Sequence, residues 1–241
     1  MPRGSPDWGV YTPIQDLYKT LDYGEIAAKT GSLLGFDRKG NVVFVDDCSS
    51  GVSRWNKIVW PGERVVGRYG YNIYGGYSIY IEDDGLNGNR PGIYTSLPIF
   101  NKSKAGLEII GSFAYALTLV EMQLQFDDGS QLLTFRVMFN NNDGTISLYD
   151  KTLGWVAIGY FVKMPSGAMW TWYAKMIVDP VSGKYDRFKF NGLEFDISKF
   201  MAMVGATIYP QLTVLQVTAG YAVANYYGGI NLNGVIFTIN E

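Results

Sequence analysis

The stretch VEMQLQF, residues 120–126, holds the residue types closest to a catalytic arrangement. In a β-strand alternate side chains face the same side, so Glu121, Gln123 and Gln125 would share one face and the apolar residues between them the other. Glycoside hydrolysis needs two carboxylates close together, one of which serves as the acid. Two of these three positions hold amides, which can neither accept the proton nor attack the sugar. The stretch therefore predicts a polar strand face without glycosidase activity.

The composition excludes several other kinds of chemistry. The 241-residue chain contains no His, so imidazole is absent as a metal ligand, a general base or a member of a catalytic triad. The one Cys, Cys48, cannot form an internal disulfide and is expected to be a small buried residue. A net charge of −2 provides no basic surface for nucleic acid. No phosphate-binding glycine motif is present, so no nucleotide cofactor is expected.

Tyrosines cluster in two stretches rich in Gly and Asn, YGYNIYGGYSIY at 69–80 and YAVANYYGG at 221–229. Sugar binding needs exposed aromatic rings beside amides and carboxylates. The candidate ligand-binding residues come from these stretches and from the polar strand face: Tyr71, Tyr74, Tyr77, Glu121, Gln123, Gln125, Tyr226 and Tyr227. The alternative, that many of these rings pack in a core, stays open at this point.

From Asn41 onward the apolar residues recur with a period of two, which predicts short β-strands separated by turns rich in Gly, Asn and Asp. The heptapeptide ISKFMAM, residues 197–203, is predicted to form one helical turn. Many short strands with almost no helical pattern are typical of an all-β sandwich or barrel. Residues 200–240 contain no Lys, Arg, Asp or Glu, but Pro210 and several polar residues interrupt this run, so no membrane insertion is predicted.

The first 40 residues differ from the rest of the chain. They begin with MPRGSPDWGVYTP, which lacks the apolar segment of a signal peptide. The apolar residues that follow have the spacing of short helical turns. We interpret residues 1–40 as a partly helical N-terminal arm and residues 41–241 as one domain. The apolar anchors of this arm, expected to be buried against a partner subunit or against the outer sheet of the same chain, are Leu17, Leu21, Ile26 and Leu33.

The segment WYAKMIVDPVSGKYDRFKFNGLEFDIS, residues 172–198, is the most informative about fold. It contains two turn signals, DPVSG at 179–183 and NG at 191–192, each between apolar runs. This double hairpin resembles the late hairpins of concanavalin A-like, or laminin-G-like, jelly rolls. VVFVDDCSSGVSRW at 42–55 resembles the first strand of that family. GGINLNGVIFTINE at 228–241 is similar to its closing strand, which pairs near the first.

The resemblance covers about residues 41–241 and implies a two-sheet antiparallel jelly-roll sandwich. The laminarinase-like branch of the family has E-x-D-x-E on one strand, which matches the positions of Glu121, Gln123 and Gln125 with amides in place of two carboxylates. Related sandwiches sometimes hold a structural Ca²⁺ near the first and closing strands. Asp46 and Asp47 are its candidate ligands, whereas the Asp pairs at 83–84 and 127–128 are expected to cap turns.

A fold of this kind hosts many functions, so two hypotheses of different class follow. The first is a non-enzymatic structural or assembly protein, such as a capsid-decoration or tail component of a phage-type virion. It is favoured by the arm and by the last 42 residues, in which Glu241 is the one charged side chain. The segments LDYGEIAAKTGS at 21–32 and FDRKGNVVFVDD at 36–47 also resemble uncharacterised proteins of tailed phages and prophages of thermophiles, so a virion or extracellular surface is the favoured location. The second is a carbohydrate-binding module with a glycan as its partner, and a glycoside hydrolase ranks third.

Overall fold

Two antiparallel β-sheets form the protein in a computed structural model, which describes residues 40–71, 77–86, 90–98, 103–167, 170–207 and 212–241. The described residues contain sixteen strands and no helix. They are β1 (Asn41–Asp46), β2 (Asn56–Ile58), β3 (Arg64–Tyr69), β4 (Tyr77–Asp83), β5 (Gly92–Leu97), β6 (Ala105–Phe113), β7 (Thr118–Asp127), β8 (Leu132–Asn140), β9 (Thr145–Asp150), β10 (Gly154–Tyr160), β11 (Thr171–Asp179), β12 (Lys184–Phe190), β13 (Leu193–Asp196), β14 (Met203–Gly205), β15 (Leu212–Tyr221) and β16 (Gly228–Ile239). The predicted arm, with Leu17, Leu21, Ile26 and Leu33, lies outside the described residues.

Each sheet has eight strands. The first sheet has the order β13-β12-β11-β6-β16-β4-β3, and β1 pairs with the far end of β16. The second sheet has the order β10-β9-β8-β7-β15-β5-β2, and β14 pairs with β8. The prediction of a two-sheet antiparallel sandwich is confirmed. The pairing of the first strand with the closing strand, which the family resemblance implied, is also present. No helix in the described part of the chain is long and apolar enough to cross a membrane.

Aromatic side chains from both sheets meet in the core. Trp172 on β11 is fully buried, and its ring centroid lies 4.9 Å from that of Phe139 on β8 of the other sheet. Phe113 and Phe190 complete this aromatic cluster, at 5.6 Å from Trp172 and 5.0 Å from Phe139 respectively. Burying one such side chain stabilises the fold by roughly 1.5–3 kcal/mol, and edge-to-face pairs add to that. The two sheets are therefore joined through large rings from strands far apart in sequence.

The double hairpin β11-β12-β13 has the predicted turn geometry. Asn191 and Gly192 both have positive φ, 46° and 85°, which is the two-residue turn that suits the twist of a hairpin. The earlier turn closes at Gly183 with φ of 67°. The Asp179 carboxylate accepts hydrogen bonds from the backbone N–H groups of Val181 and Ser182 within that turn. Both turns thus follow from residue types that can be read in the sequence.

One local expectation needs correction. The ISKFMAM segment forms a tight turn, closed by the hydrogen bond from the Phe200 N–H to the Ile197 carbonyl, and its last residue, Met203, begins β14 and pairs with Thr134 of β8. Strand β3 shows no clear alternation in the sequence, because RVVGRY has charged residues and a central Gly. The closing strand begins at Gly228 and includes the buried residues Asn231 and Asn233.

The charge-free C-terminal run is explained by burial within the chain. β15 and β16 occupy central positions in the two sheets, and nearly every residue of β16 is buried on both faces. A charged side chain there would lose its hydration without a partner. Burial within the chain is therefore sufficient to explain the absence of charge in these strands, and contact with neighbouring subunits is not needed for it.

Replacement of Gly192 tests the turn. Its Cβ would meet no heavy atom within 4 Å, so Gly192→Val adds backbone strain without a clash. We expect a loss of about 1–3 kcal/mol in the free energy of unfolding, because a β-branched residue at positive φ is strained. Gly205→Val is the matched control, since Gly205 has ordinary φ and no contact closer than 3.9 Å. Urea denaturation curves that coincide for the two variants would contradict the turn assignment.

Candidate functional site

A row of polar and aromatic side chains crosses the outer face of the second sheet. Met122, Leu124 and Phe126 point into the core, so the alternate residues of β7 point outward. Cross-strand register then aligns one outward residue on each of seven strands. In spatial order this outer row consists of Asn56, Tyr94, Gln216, Gln123, Arg136, Tyr149 and Trp155.

Glu121 lies beside the outer row and is held by two arginines. Its Oε2 is 2.7 Å from Nη1 of Arg90, and its Oε1 is 2.5 Å from Nε of Arg136. Its side chain is 6% exposed. Because both oxygens accept charge-assisted hydrogen bonds, this carboxylate neutralises and orients the guanidinium groups. Arg90 also interacts with the carboxylate of Asp83, so the charges around Glu121 are balanced within the protein.

The centre of the outer row is an amide pair. Nε2 of Gln123 donates to Oε1 of Gln216 over 3.3 Å. This bond uses one donor and one acceptor of the pair. Gln123 is 8% exposed and Gln216 is half-buried, so the remaining N–H and C=O sites reach solvent mainly at Gln216. Gln125 is half-buried on the same face, one strand position further along. The predicted trio Glu121, Gln123 and Gln125 therefore does share one face, and its arrangement suits hydrogen bonding.

The β10 end of the outer row is aromatic. The guanidinium carbon of Arg136 lies 5.0 Å from the ring centroid of Trp155 and 5.4 Å from that of Tyr149. The two rings meet edge to face, with centroids 5.5 Å apart. Trp155 remains 37% exposed. An indole fixed by a cation and a second ring gives a rigid flat surface at the rim of the sheet.

Several members of the outer row were missed in the sequence. Trp155, Tyr149, Tyr94 and Asn56 belong to predicted strands or their edges, but nothing local marks them as neighbours of Gln123. The usable signal was on β8, where alternation in LLTFRVMF already places Arg136 opposite the core residues. The pairing of β5 with β15 and of β2 with β5 joins segments distant in sequence, so no short motif could indicate it.

Tyr71 and Tyr77 lie beside strands of the first sheet, and Tyr226 and Tyr227 lie in the loop between β15 and β16, apart from Glu121, Gln123 and Gln125. Tyr71 contacts Arg68, whose guanidinium carbon is 3.7 Å from its ring centroid. Tyr77 is exposed and stacks edge to face on Tyr69 at 5.5 Å. Tyr227 stacks on Tyr115, with centroids 5.8 Å apart, and its neighbour Tyr226 is equally exposed. Tyr74 lies outside the described residues.

Asp46 has a structural role in the first turn. Its Oδ1 accepts the backbone N–H of Cys48 at 2.8 Å, and its Oδ2 accepts the indole N–H of Trp55 at 2.6 Å. Burial raises the pKa of the Asp46 carboxyl against these two hydrogen bonds. Asp47 accepts the backbone N–H of Ser49 on the surface.

This donor set does not fit Ca²⁺, which takes six to eight oxygens. Both oxygens of Asp46 already have protein donors. No group of three or more His, Cys, Asp or Glu that could hold a metal occurs within the described ranges. The Asp pairs at 83–84 and 127–128 cap turns, as expected, by accepting backbone N–H groups two residues ahead.

Comparison with solved structures places this fold among jelly-roll sandwiches. A carbohydrate esterase from the Shiga toxin-encoding bacteriophage phi24B matches with a TM-score of 0.54 and 11% identity, over 83% of this chain and 100% of that one. The cellulose-induced protein Cip1 matches with a TM-score of 0.50 and 11% identity, over 81% of this chain and 97% of that one. A sialidase matches with a TM-score of 0.50 and 10% identity over 81% of this chain, which spans 18% of the sialidase.

These likenesses define the class of protein by fold alone. Carbohydrate-binding modules and a seed lectin also match, with TM-scores of 0.43 or lower. No protein-family model matches the chain, and no curated protein matches it. The chain is a two-sheet antiparallel jelly-roll sandwich.

Replacement of Glu121 tests the arginine clamp, which is the pair of contacts that Arg90 and Arg136 make with Glu121. Glu121→Gln leaves two guanidinium groups without their counter-charge, and we expect the free energy of unfolding to fall by about 1–3 kcal/mol. The side chains of Arg90 and Arg136 are 34% and 26% exposed, so their residual hydration limits the loss. Glu194→Gln is the control, because its pair with Lys189 is on the surface and contributes at most about 0.5 kcal/mol. If urea unfolds Glu121→Gln and wild type at one midpoint, the clamp is not stabilising.

Proposed function

We propose that this chain is a carbohydrate-binding jelly-roll protein and that the outer row is its binding face. The observation that carries the proposal is the continuity of this row across seven neighbouring strands. With strands about 4.8 Å apart, six spacings give a track of about 29 Å. A track of that length suits several units of an extended glycan lying across the strands.

The residue types of the outer row match the C–H groups and the hydroxyl groups of a sugar ring. The exposed indole of Trp155 offers an apolar plane for the C–H face of a ring. The amides of Gln123 and Gln216 offer donors and acceptors to hydroxyl groups, and Asn56 does the same at the opposite, exposed end. The aromatic end would fix the position of the glycan, and the amides would select the orientation of its hydroxyls.

The proposed activity is binding without catalysis. Glu121 is the carboxylate on the outward face of β7, and both of its oxygens are bound to arginine. The positions that would supply a second carboxylate hold Gln123 and Gln125. The phage protein of similar fold is named a carbohydrate esterase. A Ser-His-Asp triad of the kind that esterases use is not available to a chain without His.

A point substitution in the aromatic end tests the binding face. The probes are soluble xylan, xyloglucan and mixed-linkage β-glucan in affinity gel electrophoresis, followed by calorimetry on oligosaccharides of the polymer that retards the protein. Trp155→Ala should weaken binding at least tenfold, about 1.4 kcal/mol, because the anchoring ring is lost. Trp170→Ala is the matched control, since Trp170 is 51% exposed and does not belong to the row. Equal retardation of both variants would exclude the outer row as the site.

An assembly role is a second candidate, and strand β10 is the observation that favours it. Within the described ranges β10 pairs only with β9, so its other edge carries unpaired backbone groups. Leu153, Tyr160 and Val162 are strongly exposed at the two ends of this edge, Val162 at 89%. An edge of this kind accepts a strand from a second copy. An N-terminal arm that supports such contacts stays a prediction, as does placement in a virion.

Light scattering coupled to size-exclusion chromatography tests the assembly role on the full chain. If copies pair through β10, wild type is an oligomer, and Tyr160→Lys with Val162→Lys gives a monomer, because charges on an edge strand oppose pairing. The control places Lys at Val181, which is exposed in a turn of the first sheet. A monomeric wild-type protein at 100 μM would exclude this candidate and leave the binding proposal untouched.

A further inference from the structure

A pocket lies on the outer face of the first sheet, on the opposite side of the sandwich from the outer row. It has a volume of about 190 Å³ and is lined by Arg68, Tyr71, Tyr80, Ala114, Tyr115, Gly167 and Asn231. A neighbouring hollow shares Arg68, Tyr80 and Tyr115 and extends to Arg64 and Glu82. Alternation on β3, β4 and β16 directs these side chains outward, because Val65, Ile79, Ile81 and Ile230 fill the core.

Glu82 accepts hydrogen bonds from two tyrosines beside this pocket and lies near an arginine. The hydroxyls of Tyr80 and Tyr115 both donate to its Oε2, the latter over 2.6 Å, and the two hydroxyl oxygens are 3.1 Å apart. Nε of Arg64 lies 3.6 Å from its Oε1. Burial raises the pKa of the Tyr80 hydroxyl, and the hydrogen bond to Glu82 raises it further, so this phenol stays protonated. Tyr80 is therefore a fixed donor and is not a nucleophile.

Arg68 is the cation that this arrangement leaves for a ligand. Its guanidinium lies over the rings of Tyr71 and Tyr80, 3.7 Å and 4.7 Å from their centroids. Nη2 donates to the Tyr71 hydroxyl over 2.9 Å. A guanidinium has five N–H donors in a planar fork that matches a carboxylate. With Arg64 set against Glu82, the pocket carries one net positive charge.

Asn231 supplies an acceptor at the bottom of the pocket. The residue is 1% exposed, and its Nδ2 makes a long contact of 3.5 Å with Oγ of Ser112. Its Oδ1 has no hydrogen-bond partner among the described residues. A buried carbonyl oxygen without a donor is costly, and a ligand hydroxyl would remove that cost. This oxygen is thus a second observation, independent of Arg68, that points to a polar ligand.

We propose that this pocket binds one acidic sugar unit, a pyranose ring bearing a single carboxylate. The carboxylate pairs with the guanidinium of Arg68, and a ring hydroxyl donates to Oδ1 of Asn231. Tyr115, which lines the pocket, is held by stacking against Tyr227, a ring that is 55% exposed. The volume is below the roughly 300–1,000 Å³ of sites for drug-sized ligands, so it suits a single ring. This site is separate from the outer row and does not depend on it.

Calorimetry with methyl β-glucuronide and methyl β-glucoside tests the proposal, since the two probes differ in the carboxylate alone. Wild type should bind the glucuronide at least tenfold more tightly, and raising the salt from 50 to 500 mM should reduce that preference. Arg68→Gln should abolish the preference, and Arg68→Lys, which keeps the charge without the fork, should retain part of it. Arg54→Gln is the control, because Arg54 is an exposed arginine over Phe44 outside the pocket.

NMR signals of the tyrosine rings provide a second test, which uses the wild-type protein alone. In wild type labelled on its tyrosine rings, glucuronide should shift the signals of Tyr71, Tyr80 and Tyr115 and leave that of Tyr149 unchanged. Equal affinity for the two sugars, or no saturable binding of either, overturns the proposal. Loss of glucuronide binding in Trp155→Ala also overturns it, because the acidic sugar would then sit on the outer row. Failure of the outer row to bind any glycan leaves the prediction for this pocket unchanged.

Discussion

The contact between Trp172 and Phe139 joins the two sheets, and the position of every outward residue depends on such contacts. Phe139 reaches the core because β8 presents its odd-numbered residues inward. The same register turns Arg136 outward, between Glu121 and Trp155. A slip of one residue would bury the guanidinium and expose the ring, at a cost no hydrogen bond could recover. Core packing on one face of a strand therefore determines which side chains point outward on the other face.

Both candidate sites handle a buried carboxylate in the same way. Glu121 is bound by two arginines, and Glu82 is bound by two tyrosines with an arginine nearby. In each case the protein satisfies the acid with its own cations and hydrogen-bond donors. Acidic and basic side chains are thus paired on both outer faces of a chain whose net charge is −2. Net charge alone does not reveal this pairing, because it averages over the whole surface.

The sequence was sufficient for the fold and for part of each site. Turn residues such as Asn191 and Gly192 act locally, so their positive φ values were predictable from residue type. The alternation of apolar and polar residues along a strand is also local, and it places Gln123 and Arg136 on outward faces. The neighbours of these residues were not predictable, since Tyr94 meets Gln216 and Tyr80 meets Asn231 through pairings between distant strands. Asp46 was misleading for a related reason: its partner, the indole of Trp55, lies nine residues away across a loop.

The placement of β15 and β16 has a consequence for how the chain folds. Both strands come last in chain order, yet each occupies the middle of a sheet, β16 between β6 and β4 and β15 between β7 and β5. Until β16 is inserted, β6 and β4 cannot share a sheet, and until β15 is inserted the same holds for β7 and β5. The apolar faces of these strands then remain open to water. Pairings of such long range make folding slow, because a large loop must close before any contact is gained. During that interval the open edges of β6 and β7 can pair with another chain, so a high protein concentration during folding favours aggregation.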